Sequence, residues 1–257
     1  MIQALLWDVD GTLAETERDG HRVAFNQAFA ALGLPWQWDE ARYGELLRVA
    51  GGRERILADM ATRGDAPPPS ERETLARQLH RRKNEFYAEL VAGGGIALRP
   101  GVRELIDEAA SRGLRQAITT TTSRANVDAL LSRHLGAGWA RLFPVVVCGE
   151  DVAAKKPDPE VYTRALTALA LGPLATLAIE DSYGGARAAR AADVPVAVTR
   201  SVYFADEMVE GVVAVGPGLH VRQGWRPAPT PGPTDGPVTL DDLIDWHARM
   251  ELVSHYG

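Results

Sequence analysis

Cysteine is nearly absent from this 257-residue chain, and the lone Cys148 excludes an intrachain disulfide and a cysteine-based zinc site. It follows an apolar stretch at 144–147, so the reading for it is a small buried core residue in a reducing compartment. A basic surplus is lacking too. With 28 Lys and Arg against 34 Asp and Glu, a net charge of −6 and a pI of about 5.6, the chain has no surface suited to displacing counterions from nucleic acid. No apolar run approaches the ~18 residues of a membrane helix. Two acids arrive by position 10, where a signal peptide would be apolar, so the expected setting is the cytoplasm, with no membrane contact. The remaining composition, 46% hydrophobic and 24% charged, is that of a globular protein with a real core and one or two domains.

What is present begins with residues 2–7, an apolar run without Gly or Pro that reads as a strand buried on both faces. It ends in Asp8-Val9-Asp10-Gly11-Thr12, and strand alternation sends Asp8 and Asp10 the same way from its carboxyl end. Residues 15–97 then read as four helices with no strand. The first covers 16–32, the second follows Asp39 as N-cap, Gly51-Gly52 precedes the third, and Ser70 with Glu73 forms a capping-box pattern for the fourth. From Pro100 helix and strand alternate, with strands expected at 114–119, 145–148, 175–179, 194–199 and 212–215. The expected class is therefore α/β, a Rossmann-like parallel sheet over 1–14 and 98–257 with a small helical cap inserted at 15–97. Residues 216–237 hold six prolines and five glycines and read as a mobile excursion before a last helix opened by Thr239 and Asp242, with Trp225 and Trp246 available to pin it.

Polar residues recur at the strand ends in the order Asp8 and Asp10, Thr120, Lys156-Pro157, and Glu180-Asp181, where ligands of open α/β sheets bind. Taken singly, each has a plain reading: a turn, a cap, a helix start. Together they suit phosphoryl transfer through a carboxylate. Asp8 is placed to attack phosphorus, and Asp10 to protonate the leaving oxygen and then activate water. The acidic cluster of Asp8, Asp10, Glu180 and Asp181 calls for Mg²⁺ as a hard cation, with Glu180 orienting a metal-bound water. The Thr120 hydroxyl and nearby backbone N–H groups are placed to hold phosphate oxygens, and Lys156 to neutralise both Asp8 and the transferred group.

On these motifs the sequence resembles the haloacid dehalogenase superfamily. Within it, Glu17, His21-Arg22, Ala24-Phe25-Asn26, Gly51-Gly52-Arg53-Glu54-Arg55-Ile56, Thr120-Thr121-Thr122-Ser123, Asn126-Val127 and Lys155-Lys156-Pro157 are similar to the CbbY-type sugar-bisphosphate phosphatases that accompany Rubisco. The resemblance runs to about residue 215. It implies removal of the C1 phosphate of xylulose 1,5-bisphosphate, with Glu17 and His21 on sugar hydroxyls and Tyr43, Arg48, Gly51, Gly52, Arg53 and Arg55 on the distal phosphate. Thr121, Thr122, Ser123 and Asn126 fall with the substrate-binding residues by the same likeness. The physical reading agrees: glycines let backbone N–H groups approach a phosphate while arginines supply charge, though an Arg-rich solvated helix face reads the same way. Position 53 is Arg where the family commonly has Lys, and the excursion after 215 departs from a family that turns directly into its last helix. A monomer acting on a small sugar phosphate is expected. A β-phosphoglucomutase-like mutase shares the motifs, and a non-catalytic sugar-phosphate sensor is the rival outside enzymes.

Overall fold

The protein was analysed as a computed structural model that describes residues 2–229, 232 and 235–254, with side chains described to 249. Six parallel strands form one sheet in the order β3-β2-β1-β4-β5-β6. They are β1 (Ala4–Trp7), β2 (Arg115–Thr119), β3 (Val145–Val147), β4 (Thr176–Glu180), β5 (Val196–Thr199) and β6 (Ala214–Gly216). Trp7 lies beside Ile118 on one flank and Ile179 on the other, so β1 is central and its carboxyl end opens at the point where strand order reverses. Alternation along β1 divides its side chains between two cores. Leu5 and Trp7 join Ile118 and Ile179 under α5 (Val102–Ser111), α6 (Arg124–Leu135) and α9 (Leu240–Ser254). Ala4 and Leu6 face the other way, under α7 (Glu160–Leu169) and α8 (Tyr183–Ala191).

Above the carboxyl edge stand α1 (Arg22–Ala31), α2 (Glu40–Leu46), α3 (Gly52–Thr62) and α4 (Pro69–Ala92). They pack around their own cluster, in which Phe29 meets Trp38 edge-on at 4.9 Å and the Trp38 indole donates to Asp59 at 2.8 Å. The chain crosses between this bundle and the sheet twice, and the crossings pair with each other through an antiparallel bridge of Ala14 with Leu98. Cys148 is fully buried, as its apolar surroundings suggest.

Several boundaries differ from the sequence reading. The helix expected over 16–32 opens as a π turn, Glu17–His21, before α1 begins. Asp39 does cap α2, accepting from the Arg42 amide at 2.7 Å. Ser70 does not cap α4: Pro69, whose ring already holds a helical φ, occupies the first turn and no side-chain cap bond forms. The helix after Lys156-Pro157 starts only at Glu160, and short 3₁₀ turns form at Trp139–Arg141 and Val202–Phe204. The largest correction concerns the excursion after 215, of which 230, 231, 233 and 234 lie outside the described residues. Its described part joins the core, with Leu219, Trp225 and Val238 buried. Trp225 stacks on Trp246 with ring centroids 4.8 Å apart, which is the pinning expected of this pair. Thr239 and Asp242 open α9 with reciprocal bonds, the Thr239 amide to the Asp242 carboxylate at 3.0 Å and the Asp242 amide to the Thr239 hydroxyl at 3.3 Å.

Gly101, the residue before α5, has φ of 87°, and a Cβ there would collide with the backbone of Leu219 and His220. Gly101→Ala is therefore expected to lose the glycine preference of the left-handed region, about 1 kcal/mol, plus the cost of displacing the tail, for a total of roughly 2–4 kcal/mol. Urea denaturation checks it; an unchanged midpoint would show that the tail does not rest there.

Candidate active site

Asp8 is the first residue beyond β1, with its amide held by the Ile179 carbonyl at 3.0 Å, and the residue is 6% exposed. Lys156, also buried, meets it from the loop before α7. The ammonium donates to Asp8 Oδ1 at 2.7 Å, Glu180 Oε1 at 2.6 Å and the Thr119 carbonyl at 2.8 Å, so all three of its protons are used. The Tyr162 hydroxyl donates to the same Glu180 oxygen. Asp181 accepts from the Ser201 hydroxyl at 2.6 Å. Two glycines make room for these acids. A Cβ on Gly185 would strike the Glu180 carboxylate, and one on Gly11, at φ of 85°, would strike that of Asp181.

Oxygens of Asp8, Glu180 and Asp181 lie within 4.8 Å of one another, and all three residues are buried. One ammonium faces three carboxylates, so the floor carries excess negative charge. Burial pushes the Asp8 carboxyl up to about 7, against the pull of Lys156 and with the push of Glu180. Burial, then the charges of Asp8 and Glu180, drive Asp181 well above the ordinary carboxylate range. Lys156 goes the other way: burial works against its charge, but Asp8 and Glu180 outweigh burial and raise it.

Asp10 stands apart from this group. Its Oδ1 is 2.8 Å from His21 Nε2 and accepts from the Thr16 hydroxyl at 2.5 Å, so its carboxylate is turned toward the cap. The acid cluster found among the described residues thus lacks the Asp10 side chain, which the sequence reading had included among the metal ligands. Burial favours a proton on Asp10, but His21, Thr16 and the Lys83 charge outweigh it and hold its carboxyl below the usual range. The π turn matters here, because it sets Glu17 and His21 on the cleft side while the His21 ring stacks on Tyr87 at 4.4 Å.

The cleft between cap and sheet has two connected parts. A cavity of about 300 Å³ holds Asp8, Lys156, Glu180, Asp181 and Arg48, and one of about 780 Å³ holds His21, Gly51, Gly52, Arg53, Thr122, Ser123 and Asn126. Asp10, Glu17, Arg55 and Thr121 line both. Two expected site residues line neither. Thr120 is buried and its hydroxyl accepts the Thr122 amide at 3.2 Å; Tyr43 is buried, donates to the Glu17 carboxylate and accepts from Arg55 at 2.7 Å. Ser123 caps α6, and Asn126 donates to the Thr122 hydroxyl at 3.0 Å. Arg53 is partly exposed and shared between Glu54 at 3.4 Å and Glu73 at 3.3 Å.

Four residues of this site escaped sequence reasoning. Tyr162 belongs to the apolar stripe of α7 with Val161, Ala165 and Leu166, which disguises its hydroxyl. Ser201 and Thr16 carry no signal beyond their nearness to a strand end and to Asp10. Lys83 lies in a polar run, yet it falls in phase with Leu79, Tyr87 and Val91 on the buried side of α4. Burial brings its ammonium down to about 8 despite the opposing charges of Asp10 and Glu17.

Comparison with known proteins places this geometry. A model of haloacid dehalogenase-like hydrolases matches residues 2–193. A CbbY protein of Cupriavidus necator is 45% identical over 248 residues, 96% of this chain and 97% of that one. A CbbY protein of Rhodobacter capsulatus is 48% identical over 79% of this chain and 87% of its own. Among solved structures, a substituted CbbY of Rhodobacter sphaeroides in complex with xylulose-(1,5)bisphosphate superimposes with a TM-score of 0.78 at 44% identity, over 82% of this chain and 92% of that one. The Cupriavidus match is too long to leave out most of residues 216–237, so the excursion is shared with that relative, whereas the Rhodobacter capsulatus match leaves about a fifth of the chain uncovered. The protein is a CbbY-type phosphoric monoester hydrolase, and its chain belongs to the haloacid dehalogenase-like hydrolase family.

Proposed function

We propose that the protein is a Mg²⁺-dependent sugar-bisphosphate phosphatase whose substrate is xylulose 1,5-bisphosphate, dephosphorylated at C1 to xylulose 5-phosphate. The observation that carries the reading is the acid floor, Asp8 with Glu180 and Asp181 around one ammonium, at the bottom of a cleft whose other wall presents Arg48, Arg53 and Arg55 beside Gly51 and Gly52. The floor suits the reacting phosphate and the cap wall suits a second one. The bisphosphate bound by the Rhodobacter sphaeroides CbbY supports the assignment. The protein works as a monomer in the cytoplasm on this reading, and no helix among its described residues is long and apolar enough to cross a membrane.

Asp8 attacks the C1 phosphorus and the bond to the sugar oxygen breaks, leaving the phosphoryl group on Asp8 and a proton required at the departing oxygen. Asp10, which lines both parts of the cleft, delivers that proton in its protonated form and is left as the carboxylate. Water then attacks the phosphoryl group, Asp10 accepts its proton, and Asp8 is restored. Lys156 stays fixed between Asp8 and Glu180, shielding the attacking carboxylate from an anionic substrate. The donor set fits a hard divalent cation, because oxygen ligands converge where burial and mutual repulsion leave charge uncompensated. Asp8 and Asp181 would hold Mg²⁺, with Glu180 behind them, and the ion would supply charge neutralisation at the phosphate.

A phosphate-release screen over sugar mono- and bisphosphates tests the assignment, with xylulose 1,5-bisphosphate expected to lead. Turnover of β-glucose 1-phosphate to glucose 6-phosphate without free phosphate would instead make the protein a mutase. Asp8→Asn should lower turnover by at least about 10⁴-fold with the fold kept by circular dichroism; retained turnover removes Asp8 as nucleophile. Arg53→Ala should cut kcat/KM for bisphosphates about 10-fold and leave monophosphates nearly unchanged. Equal losses on both would show that Arg53 does not read the second phosphate. In thermal melts, Mg²⁺ at ~100 times its Kd should stabilise the protein by about 2.7 kcal/mol. Asp181→Asn should shrink that shift, whereas an equal shift in the variant would place the ion elsewhere.

A further inference from the structure

Arg99 lies on the second crossing between cap and sheet, beside the Ala14–Leu98 bridge, and is one-tenth exposed. Its three guanidinium nitrogens reach five oxygens. Nη1 donates to the carbonyls of Gly11 and, at 2.8 Å, Thr199; Nη2 donates to those of Arg200 at 2.6 Å and Pro217 at 3.3 Å; Nε is 3.3 Å from the Glu15 carboxylate. One side chain therefore joins the loop that carries Asp10, the end of β5, the first crossing and the start of the Pro- and Gly-rich tail. A lysine has neither the planar fork nor enough donors to do this.

The tail fixes the Pro217 carbonyl from the other side. The Trp225 ring lies where a Cβ on Gly216 would be, and its indole N–H donates to the Gly218 carbonyl at 3.0 Å, so Pro217 is held on both flanks. Paired backbone bonds between Val215 and Arg226, at 2.9 and 2.8 Å, close the loop, and Trp246 of α9 stacks on Trp225. At the opposite end, Gly11 takes φ of 85° to let the Asp181 carboxylate approach, immediately after Asp10. A contiguous set of bonds and packed rings thus runs from α9 to the reacting carboxylates.

We propose that the 216–229 part of the tail is a buttress for the catalytic loop, acting through Arg99 as a positioning residue that fixes Gly11 and so sets Asp8 and Asp10 against Asp181. The inference rests on Asp8 and Asp10 being the reacting groups. Neither Trp225 nor Arg99 lines the cleft, so their loss acts on geometry and not on substrate contact. A displacement of the loop by about 1 Å is enough for a rate loss near 10²-fold.

A double-mutant cycle tests this, read with p-nitrophenyl phosphate and with hydrogen exchange of residues 9–14, the latter needing no substrate. Arg99→Lys should lower kcat about 10²-fold and Trp225→Ala about 10-fold, each with KM within about twofold. The double variant should fall no more than about twofold below Arg99→Lys alone, because both changes break one linkage. Exchange at 9–14 should rise in both single variants while α2 and α3 stay as in the unmodified protein. Trp225→Phe, which keeps the packed ring but removes the bond to Gly218, should show a smaller loss of the same kind if Trp225→Ala does not fold. Multiplying rate effects, or exchange at 9–14 that stays unchanged, would overturn the proposal.

Discussion

The Lys156 ammonium stands between the Asp8 and Glu180 carboxylates, and the floor of the cleft depends on that contact. Without it the Asp8 and Glu180 carboxylates would lose their charged partner, and a buried charge stripped of its partner costs roughly 3–5 kcal/mol. Lys156 does not cancel the floor, however. Asp8 and Asp181 remain raised by burial and repulsion, so the folded chain stores a deficit of positive charge at one spot. A hard cation held by these carboxylates would answer that deficit, and only with their charge offset would an anionic group be tolerated beside them. The Tyr162 bond to Glu180 belongs to the same arrangement, since it occupies the Glu180 oxygen that Lys156 already uses and keeps that acid from swinging toward Asp8.

Asp10 illustrates how environment separates two acids that lie two residues apart. Asp8 is raised and faces the ammonium; Asp10 is lowered and faces His21 and Thr16. Burial and a like charge raise the first, while the hydrogen-bond donors around the second lower it, so one short motif carries two acids of different protonation preference. His21 and Thr16 both come from the segment that enters the cap, so the partners of Asp10 are built on the crossing, while Asp8 is held at the end of the sheet.

Much of this was legible in the chain itself, for a physical reason. The inner strands β1, β4 and β5 are buried on both faces, so they read as short apolar runs, and the parallel topology then brings their carboxyl ends to one edge. Asp8, Lys156, Glu180 and Asp181 could be brought together from order alone. The Asp10 side chain could not be placed the same way, because strand alternation gives direction only while the chain remains extended, and its carboxylate pairs with Thr16 and His21 instead. Ser70 misled because the capping pattern is local, while the proline before it decides where α4 starts. The tail misled for the opposite reason: its proline and glycine content speaks of no regular structure, not of no packing, and Trp225 supplies the buried surface that composition hides.

The cap arginines, alike in sequence, differ in what they are free to do. Arg55 is buried against the Tyr43 hydroxyl and the Leu46 carbonyl and lies 3.6 Å from Glu17, so its guanidinium is already committed. Any anion it meets must come to it. Arg53 is partly exposed at the start of α3 and is held only by long contacts to Glu54 and Glu73, which a phosphate can displace at little cost. Glu54 also pairs with Lys155 at 2.8 Å, the residue before the floor lysine, so the acid that releases Arg53 is the same one that ties the cap to the sheet. Arg53 and Lys155 therefore draw on one carboxylate, so the charge that holds the cap arginine is also the one that links the cap to the loop carrying Lys156.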